Sequence, residues 1–419
     1  MNLTILDCYT DEPAGLGVPP YIGVYPRYLA GKLILEGHSV DYITIDDLRS
    51  ELLEIRQTAK TERRTYNRTR NDVKRLLART DALFVICGVH VPGKYLSALP
   101  GTLAEAGRLV KVFRCKKILT GPAASLFGTR SEGGKRAESR GYENFDSVEE
   151  MRYSYEQIRE FAIAGAQIVE HIPWEGMAEL ETARGCRRQP GCSFCTEGLK
   201  SPYEERPVKD IVAEALALAD KGIRHIRLGK QPDFFSRGPG DMHTMLAKIR
   251  PKVKTLHIDN ADPRNIDEEK VKLVARYCTS GNVAALGIES FDSAVIEANN
   301  LNSDEASSMA AIRLINRLGG ERGKDGMPRF LPGINLLFGL KGESKLTHEK
   351  NIGCLCSILD EGLLLRRINI RQVALYPGTE LYESCGDRYI KKNKKHYWRW
   401  RDEIRQKIDN PMLKRLAPV

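Results

Sequence analysis

The sequence predicts an α/β protein: an N-terminal Rossmann-like parallel-sheet domain, then a partial or full (β/α) barrel, then a short helical C-terminal segment. Three observations predict it. Short apolar runs of strand length alternate with longer stretches of helical spacing, the alternation restarts after residue 180, and a polar, glycine-rich stretch separates the two series. At 419 residues the chain exceeds the size at which one core stops growing, so more than one structural unit is expected.

The first series has strand-like runs at 2 to 9 (NLTILDCY), 39 to 45 (SVDYITI), 82 to 88 (ALFVICG) and 116 to 121 (KKILTG), with helical spacing over Tyr25 to Glu36 and Leu99 to Val112. Strands separated by helices cannot pair as hairpins, so a parallel sheet covered by helices follows. Residues 126 to 150 are polar and glycine-rich and read as the exit from this domain, with a helix over Met151 to Ala164. The second series contains HIRLG, TLHIDN, VAALGIES, GINLLFGL and INIRQVALYP, each separated by enough residues for a helix. The expected domains are 1–135, a linker at 136–178, a barrel at 179–385 and a basic, aromatic, helical tail at 386–419.

Hydrophobic residues make up 42% of the chain and charged residues 29%, which excludes a mainly disordered protein. No signal-like leader or membrane-length apolar run occurs, so a cytoplasmic protein with no membrane partner is expected. Lys plus Arg is 65 and Asp plus Glu 55, a net charge of +10. Part of that excess is the run Lys391, Lys392, Lys394 and Lys395, which reads as a solvated helix face; nucleic acid is not indicated as a partner. The ten cysteines are scattered through a large chain, unlike the dense framework of a small disulfide-bonded domain.

Three of them, Cys186, Cys192 and Cys195, stand in ETARGCRRQPGCSFCTEG with the spacing CxxxxxCxxC. Close cysteines on one loop can occupy three corners of an iron–sulfur cube and leave one iron open for a small molecule. A zinc site, with His171 as a distant fourth ligand, and simple core packing are the alternatives that spacing leaves open.

The Arg-Gly-Cys entry, Phe194 between the last two cysteines and the strand units that follow resemble the radical S-adenosylmethionine superfamily, although its usual spacing is CxxxCxxC. The resemblance implies a 4Fe-4S cluster on Cys186, Cys192 and Cys195. It also implies S-adenosylmethionine cleaved to a 5′-deoxyadenosyl radical, with a ferredoxin or flavodoxin as electron donor. Carried onto this chain, the strand end that binds the amino group is Gly229, Lys230 and Gln231, without the usual acidic residue. GIES at 287 to 290 supplies Glu289 and Ser290 for ribose and carboxylate, Phe194 backs the adenine, and NLLFGLKGES supplies Gly339 and Gly342 for close backbone approach. ALYPGTELYE at 374 to 383, with Tyr376, is similar to the final strand exit of cobalamin-dependent members.

A parallel-sheet domain ahead of such a barrel resembles the cobalamin-binding, class B methyltransferase branch. Ligands of open sheets lie beyond the carboxyl ends of the strands, so CYTDEPAGLGVPPY, GVHVPGKYLS and TGPAAS should line the site. The expected cobalamin contacts are Thr10, Val91, Pro92, Gly93, Lys94, Gly121 and Ala123. The DxHxxG signature is absent, and His90 reads as packed rather than cobalt-ligating, which implies cobalt without a protein ligand below it. Tyr9, Tyr21 and Tyr95 lie near these loops, and Cys354, Cys356 and Cys385 read as packing residues.

The implied activity is methyl transfer from methylcobalamin to an unactivated sp3 carbon. The loop VPGKYLSALP, the expanded cysteine spacing and the YWRWRDEIRQKIDNPMLKRL ending look most like archaeal members. That implies a peptide or protein substrate, with a glutamine α-carbon in the alpha subunit of methyl-coenzyme M reductase as the candidate. Three rivals stay open. One is a radical enzyme without methyl transfer and another a cobalamin-sensing or iron–sulfur scaffold. The third is a tRNA-modifying methylthiotransferase, for which Cys8, Cys87 and Cys115 would be the only first-domain cysteines.

Overall fold

The computed structural model describes residues 1–12, 20–52, 67–88, 97–125 and 142–417. The chain divides into two compact units, Met1–Leu180 with Lys209–Ile226, and Glu181–Val208 with Arg227–Val419.

The first unit opens with β1 (Asn2–Asp7), β2 (Tyr21–Ile22), α1 (Val24–Leu35), β3 (Ser39–Thr44), α2 (Ile45–Glu51), α3 (Val73–Arg79) and β4 (Ala82–Ile86). It continues with α4 (Leu103–Leu109), β5 (Lys116–Thr120), β6 (Ser147–Val148), α5 (Tyr155–Gly165) and β7 (Met177–Glu181). Its main sheet has the order β3-β1-β4-β5-β6, every pair parallel. The chain winds outward from β1 in one direction and from β4 in the other, so the topological switch point lies between these two strands. The strands are buried on both faces, as Thr4 to Asp7 show by being buried without alternation. Side-chain caps fix the helix starts: Asp72 accepts from the Lys74 N–H, Thr102 from the Glu105 N–H, and Ser154 forms a capping box with Gln157. α4 therefore starts at Leu103, not Leu99, and α5 at Tyr155, not Met151. The expected exit segment also contributes β6, a two-residue edge strand paired to Ile118 and Leu119. So short an edge carries almost no periodicity from which to read it.

Beyond β7 lie β8 (Ala183–Arg184), α6 (Glu197–Lys200), β9 (Glu204–Glu205), α7 (Val208–Asp220), β10 (His225–Gly229), α8 (Pro239–Ile249), β11 (Thr255–Ile258) and β12 (Asn260–Ala261). They are followed by α9 (Glu268–Tyr277), β13 (Asn282–Glu289), α10 (Ser293–Ala298), α11 (Glu305–Gly319), β14 (Phe330–Phe338), α12 (Lys345–Asp360) and β15 (Arg367–Gln372). In the second unit β12-β13-β14-β15 form a parallel sheet with helices between successive strands. All its carboxyl ends therefore emerge on one side, and the loops that follow them are neighbours.

The C-terminal part is helical: α13 (Glu380–Ser384), α14 (Arg388–Ile404), a π-helical turn at Arg405–Asp409 and α15 (Asn410–Leu416). α14 buries Asn393, Tyr397, Trp400 and Ile404 along one stripe. Trp400 stacks on His348 of α12 with ring centroids 5.1 Å apart and meets Phe338 at the end of β14. Among the described residues no helix is long and apolar enough to cross a membrane.

Candidate active site at the cysteine loop

The cysteine loop begins at a residue that must be glycine. Gly185 has φ +68°, and a Cβ there would lie 2.3 Å from the Pro202 carbonyl oxygen, so any side chain would displace Cys186 beside it. Each of the three sulfurs that follow accepts an N–H. The Arg188 amide donates to Cys186 Sγ at 3.4 Å, the Arg188 guanidinium to Cys192 Sγ at 3.1 Å, and the Glu197 amide to Cys195 Sγ at 3.5 Å. None of the three is in a disulfide. Burial pushes the Cys195 thiol up to about 12 and raises Cys192, and these N–H groups pull the other way. The donors thus favour thiolate, the form that binds iron.

Residues far along the chain hold this loop. Arg188 also donates to the Asn300 and Leu301 carbonyl oxygens, at 2.8 and 3.2 Å. Asn300 returns the contact through its side-chain amide, to the carbonyls of Pro190 (2.6 Å) and Gly191 (3.0 Å). Ser193 bonds Asn299 through both backbone and side chain, and its carbonyl accepts the Leu381 N–H at 2.8 Å. Cys192 and Phe194 pack on an apolar cluster of Val295, Leu301, Leu340, Val373 and Leu381. The two residues by which the loop exceeds CxxxCxxC therefore sit in a segment clamped by Arg188 and Asn300. Arg188, Ser193, Asn299 and Asn300 carried no local sequence signal of this role. Among the described residues no three His, Cys, Asp or Glu side chains converge as ligands of a single metal ion. Thiolates at separate corners of an iron–sulfur cube stand farther apart than ligands of one ion, and the three N–H-supplied sulfurs suit that donor set.

The strand ends of the second unit carry the other singled-out residues. β10 ends at Gly229, and Lys230 takes the left-handed φ of +55°. Glu289, the last residue of β13, has φ +62°. A non-glycine residue pays about 1 kcal/mol or more for this conformation, and such outliers gather at functional sites. Burial pushes the Glu289 carboxyl up to about 8, opposed by Arg371. Gln231 is buried, and its Oε1 has no hydrogen-bond partner among the described residues. An orphaned acceptor where an acidic residue was expected fits an ammonium group in want of a partner.

Ser290 is buried and committed to structure, accepting the Asp292 N–H at 3.1 Å and lying 3.4 Å from Asn351 Oδ1. Gly339 has φ +95°, and a Cβ there would meet Ile390 of α14 at 2.5 Å. The backbone angle and the packing of Ile390 both favour glycine at this position. The Gly339 N–H donates to Glu343 at 2.6 Å. The Tyr376 carbonyl accepts from Thr379 at the turn into α13. Cys354 and Cys356 lie on α12, and Cys385 packs with the cluster beneath the cysteine loop.

In the first unit, Thr10 follows β1, and its buried Oγ1 has no partner among the described residues. Gly88, after β4, leaves no room for a Cβ, which would meet the Thr10 side chain at 2.9 Å. Gly121 and Ala123 follow β5, the Ala123 N–H donating to the Cys87 carbonyl at 2.8 Å. Small residues and an unsatisfied hydroxyl beside the switch point fit a cofactor lying against backbone. Val91, Pro92, Gly93 and Lys94, with His90 and Tyr95, lie outside the described residues. Tyr9 is buried and donates to Asp46, and the Tyr21 N–H donates to Glu12. Cys8 and Cys87 are buried side by side at the carboxyl ends of β1 and β4, whereas Cys115 precedes β5 at the other end of the sheet. The three do not share one site. His171 hydrogen-bonds Asn71 at 3.0 Å.

Residues 180–343 match the Radical SAM superfamily. Over 99% of its length the chain is 41% identical to an uncharacterized protein of Methanocaldococcus jannaschii, 81% of which it covers. The chain belongs to the family of that archaeal protein, and it is a radical SAM enzyme, whose domain works with a 4Fe-4S cluster and S-adenosylmethionine. The fold is similar to that of TsrM from Kitasatospora setae, a radical S-adenosylmethionine methyltransferase solved with cobalamin and a [4Fe-4S] cluster bound. The TM-score is 0.55 at 13% identity, over 91% of this chain and 73% of that one. It is also similar to OxsB, a cobalamin-dependent S-adenosylmethionine radical enzyme solved with aqua-cobalamin and S-adenosylmethionine. There the TM-score is 0.51 at 13% identity, over 94% of this chain and 56% of that one.

Proposed function

We propose that this radical SAM enzyme is a cobalamin-dependent C-methyltransferase of the cytoplasm, with the cluster on Cys186, Cys192 and Cys195 and cobalamin at the switch point of the first unit. One observation carries the reading: a single chain joins a loop of three N–H-supplied sulfurs to a five-stranded parallel sheet whose order reverses between β1 and β4. The likeness to TsrM, which runs through both units, supports it. When bound, the cluster supplies the electron that cleaves S-adenosylmethionine, and cobalamin carries the methyl group.

The chain's own residues bind, orient and shield. Arg188 and the amides of Arg188 and Glu197 hold the cysteines as thiolates. Gln231 Oε1 accepts from the amino group of S-adenosylmethionine, Glu289 takes the ribose, Phe194 and the backbone at Gly339 border the adenine, and Tyr376 closes the edge. Thr10, Gly121 and Ala123 line the cobalamin side.

The substrate we propose is a peptide or protein, with the glutamine α-carbon of the methyl-coenzyme M reductase alpha subunit as candidate; kinship with an archaeal protein supports that choice. The test is anaerobic incubation of the reconstituted protein with cobalamin, reductant, methyl-labelled S-adenosylmethionine and a glutamine-containing reductase peptide. A mass gain of one labelled methyl is expected. Cleavage of S-adenosylmethionine without that gain would overturn the substrate, and absence of cleavage would overturn the reaction class.

A further inference from the structure

Helix α14 has two different faces. Its buried stripe packs on the elements that seat the cysteine loop. Ile390 joins the apolar cluster holding Cys192 and Phe194, and Asn393 donates to Glu343 at 2.7 Å, the carboxylate that accepts the Gly339 N–H. Its other face is exposed and basic, carrying Lys391, Lys392, Lys394, Lys395 and Arg399. Trp398 stands among them, 60% exposed, with the Arg401 guanidinium 5.1 Å from its ring centre. Lys391 pairs with Asp387 at 2.9 Å, but Lys394 and Lys395 have no acidic partner among the described residues.

We infer that this face of α14 is the docking surface for an acidic electron-carrier protein that reduces the cluster. The inference rests on the radical SAM reading of the cysteine loop. The step is a bare electron transfer: the reduced carrier loses one electron, the oxidised cluster gains it, and no bond or proton moves. The carrier must approach the cluster from outside, and α14 joins a cationic surface directly to the packing beneath the cysteine loop. Positive charge steers an acidic protein to such a patch and orients it. An exposed Trp flanked by Arg supplies the short-range anchor common at binding hot spots.

The size also discriminates. Residues 391 to 399 span about 12 Å at 1.5 Å per residue, a patch suited to the small, weak contacts of electron-transfer partners. Sequence-independent nucleic-acid binding uses a longer basic groove with successive stacking aromatics, and here one Trp is exposed.

The experiment compares the reconstituted full chain with its K394E/K395E and W398A variants. Cluster reduction is followed by visible bleaching and electron paramagnetic resonance, with either a reduced acidic ferredoxin or titanium(III) citrate as donor. At low ionic strength K394E/K395E is expected to slow ferredoxin-driven reduction about tenfold and to leave the titanium rate unchanged. Added salt should slow the wild type toward the variant, and W398A should lower the rate at all salt concentrations. An unchanged ferredoxin rate overturns the inference, as does an equal loss with titanium. Binding of tRNA or anionic vesicles that vanishes in K394E/K395E while the ferredoxin rate holds would assign the face to those partners instead. If the titanium-reduced wild type fails to cleave S-adenosylmethionine, the radical reading falls and takes this inference with it. Cleavage with titanium but no response to charge reversal overturns the docking surface alone.

Discussion

The cysteine loop and the carboxyl ends of β1 and β3 are both crowded with buried or part-buried ionisable groups, yet they differ in the cations set against burial. At the loop, three N–H donors face three sulfurs and oppose the rise that burial imposes on Cys192 and Cys195. In the first unit burial prevails as well: Asp7 is pushed up to about 7 although Tyr42 and the Tyr9 amide both donate to it, and Glu12 is pushed up to about 8. The nearby cations are already committed, Arg49 to Asp46 and Glu105, and Arg27 to Glu214. The loop sets the Arg188 guanidinium directly on a part-buried sulfur. The first unit keeps its arginines on other carboxylates and leaves Asp7 and Glu12 with raised values.

The largest effect should come from the thiolates. Cys195→Ala is expected to lose the iron–sulfur absorbance and reduce S-adenosylmethionine cleavage to background, whereas Cys115→Ala and Cys354→Ala should keep both. Iron analysis with the cleavage assay checks this, and equal iron loss in all three variants would erase the contrast between loop and core cysteines.

Next in size is the pH response of Asp7. Its folded value lies above the ordinary carboxylate value of 3.8, so between about pH 4 and about pH 7 the folded chain holds a proton that the unfolded chain releases. Stability therefore falls as pH rises through that window, by up to roughly 1.4 kcal/mol per pH unit, and levels off above it. Asp7→Asn removes this component. Denaturant unfolding at about pH 5 and about pH 8 should show the variant gaining on the wild type at the higher pH, and a constant difference would refute the burial argument.

Arg188→Met removes a donor to Cys192 and the clamp to Asn300 and Leu301, a loss of about 1.5 to 3 kcal/mol for a hydrogen bond to a charged group. A lower cluster midpoint potential is expected, because N–H donors to sulfur stabilise the reduced form. A redox titration checks it, and Arg188→Lys should recover part of the shift. An unchanged potential with lower cluster content would make Arg188 a fold residue only. The smallest effect is at Gln231, where Gln231→Ala should weaken S-adenosylmethionine binding about tenfold, the worth of one hydrogen bond. Equilibrium binding to the holoenzyme measures it, and unchanged affinity would show that the orphaned Oε1 faces something else.

Much of the molecule was legible. The strands β1, β3, β4 and β5 and those of the second series were visible as apolar runs because a parallel strand is buried on both faces. The three cysteines were visible because their spacing is local. Arg188 and Asn300 were not, since they are 112 residues apart and either could have been a surface side chain. Nor was the buried acceptor of Gln231, which has no partner among the described residues, because burial is a property of neighbours. Gly339 was singled out for its place in a motif, but only the packing of Ile390 shows which atom excludes a side chain there.

By itself the sequence determined the class of fold, the two series of strand and helix, and the three thiols of the loop, because periodicity and short spacings act within a few residues. Tertiary structure alone decided what surrounds those thiols. It brought Asn299 to Leu301, Leu340 and Leu381 under the loop, separated Cys115 from Cys8 and Cys87, and gave α14 one face toward the cysteine loop and one toward solvent. Such contacts join distant positions whose geometry is set only when the whole unit packs, and pKa shifts follow from that packing because burial and hydrogen bonding act through space rather than along the chain.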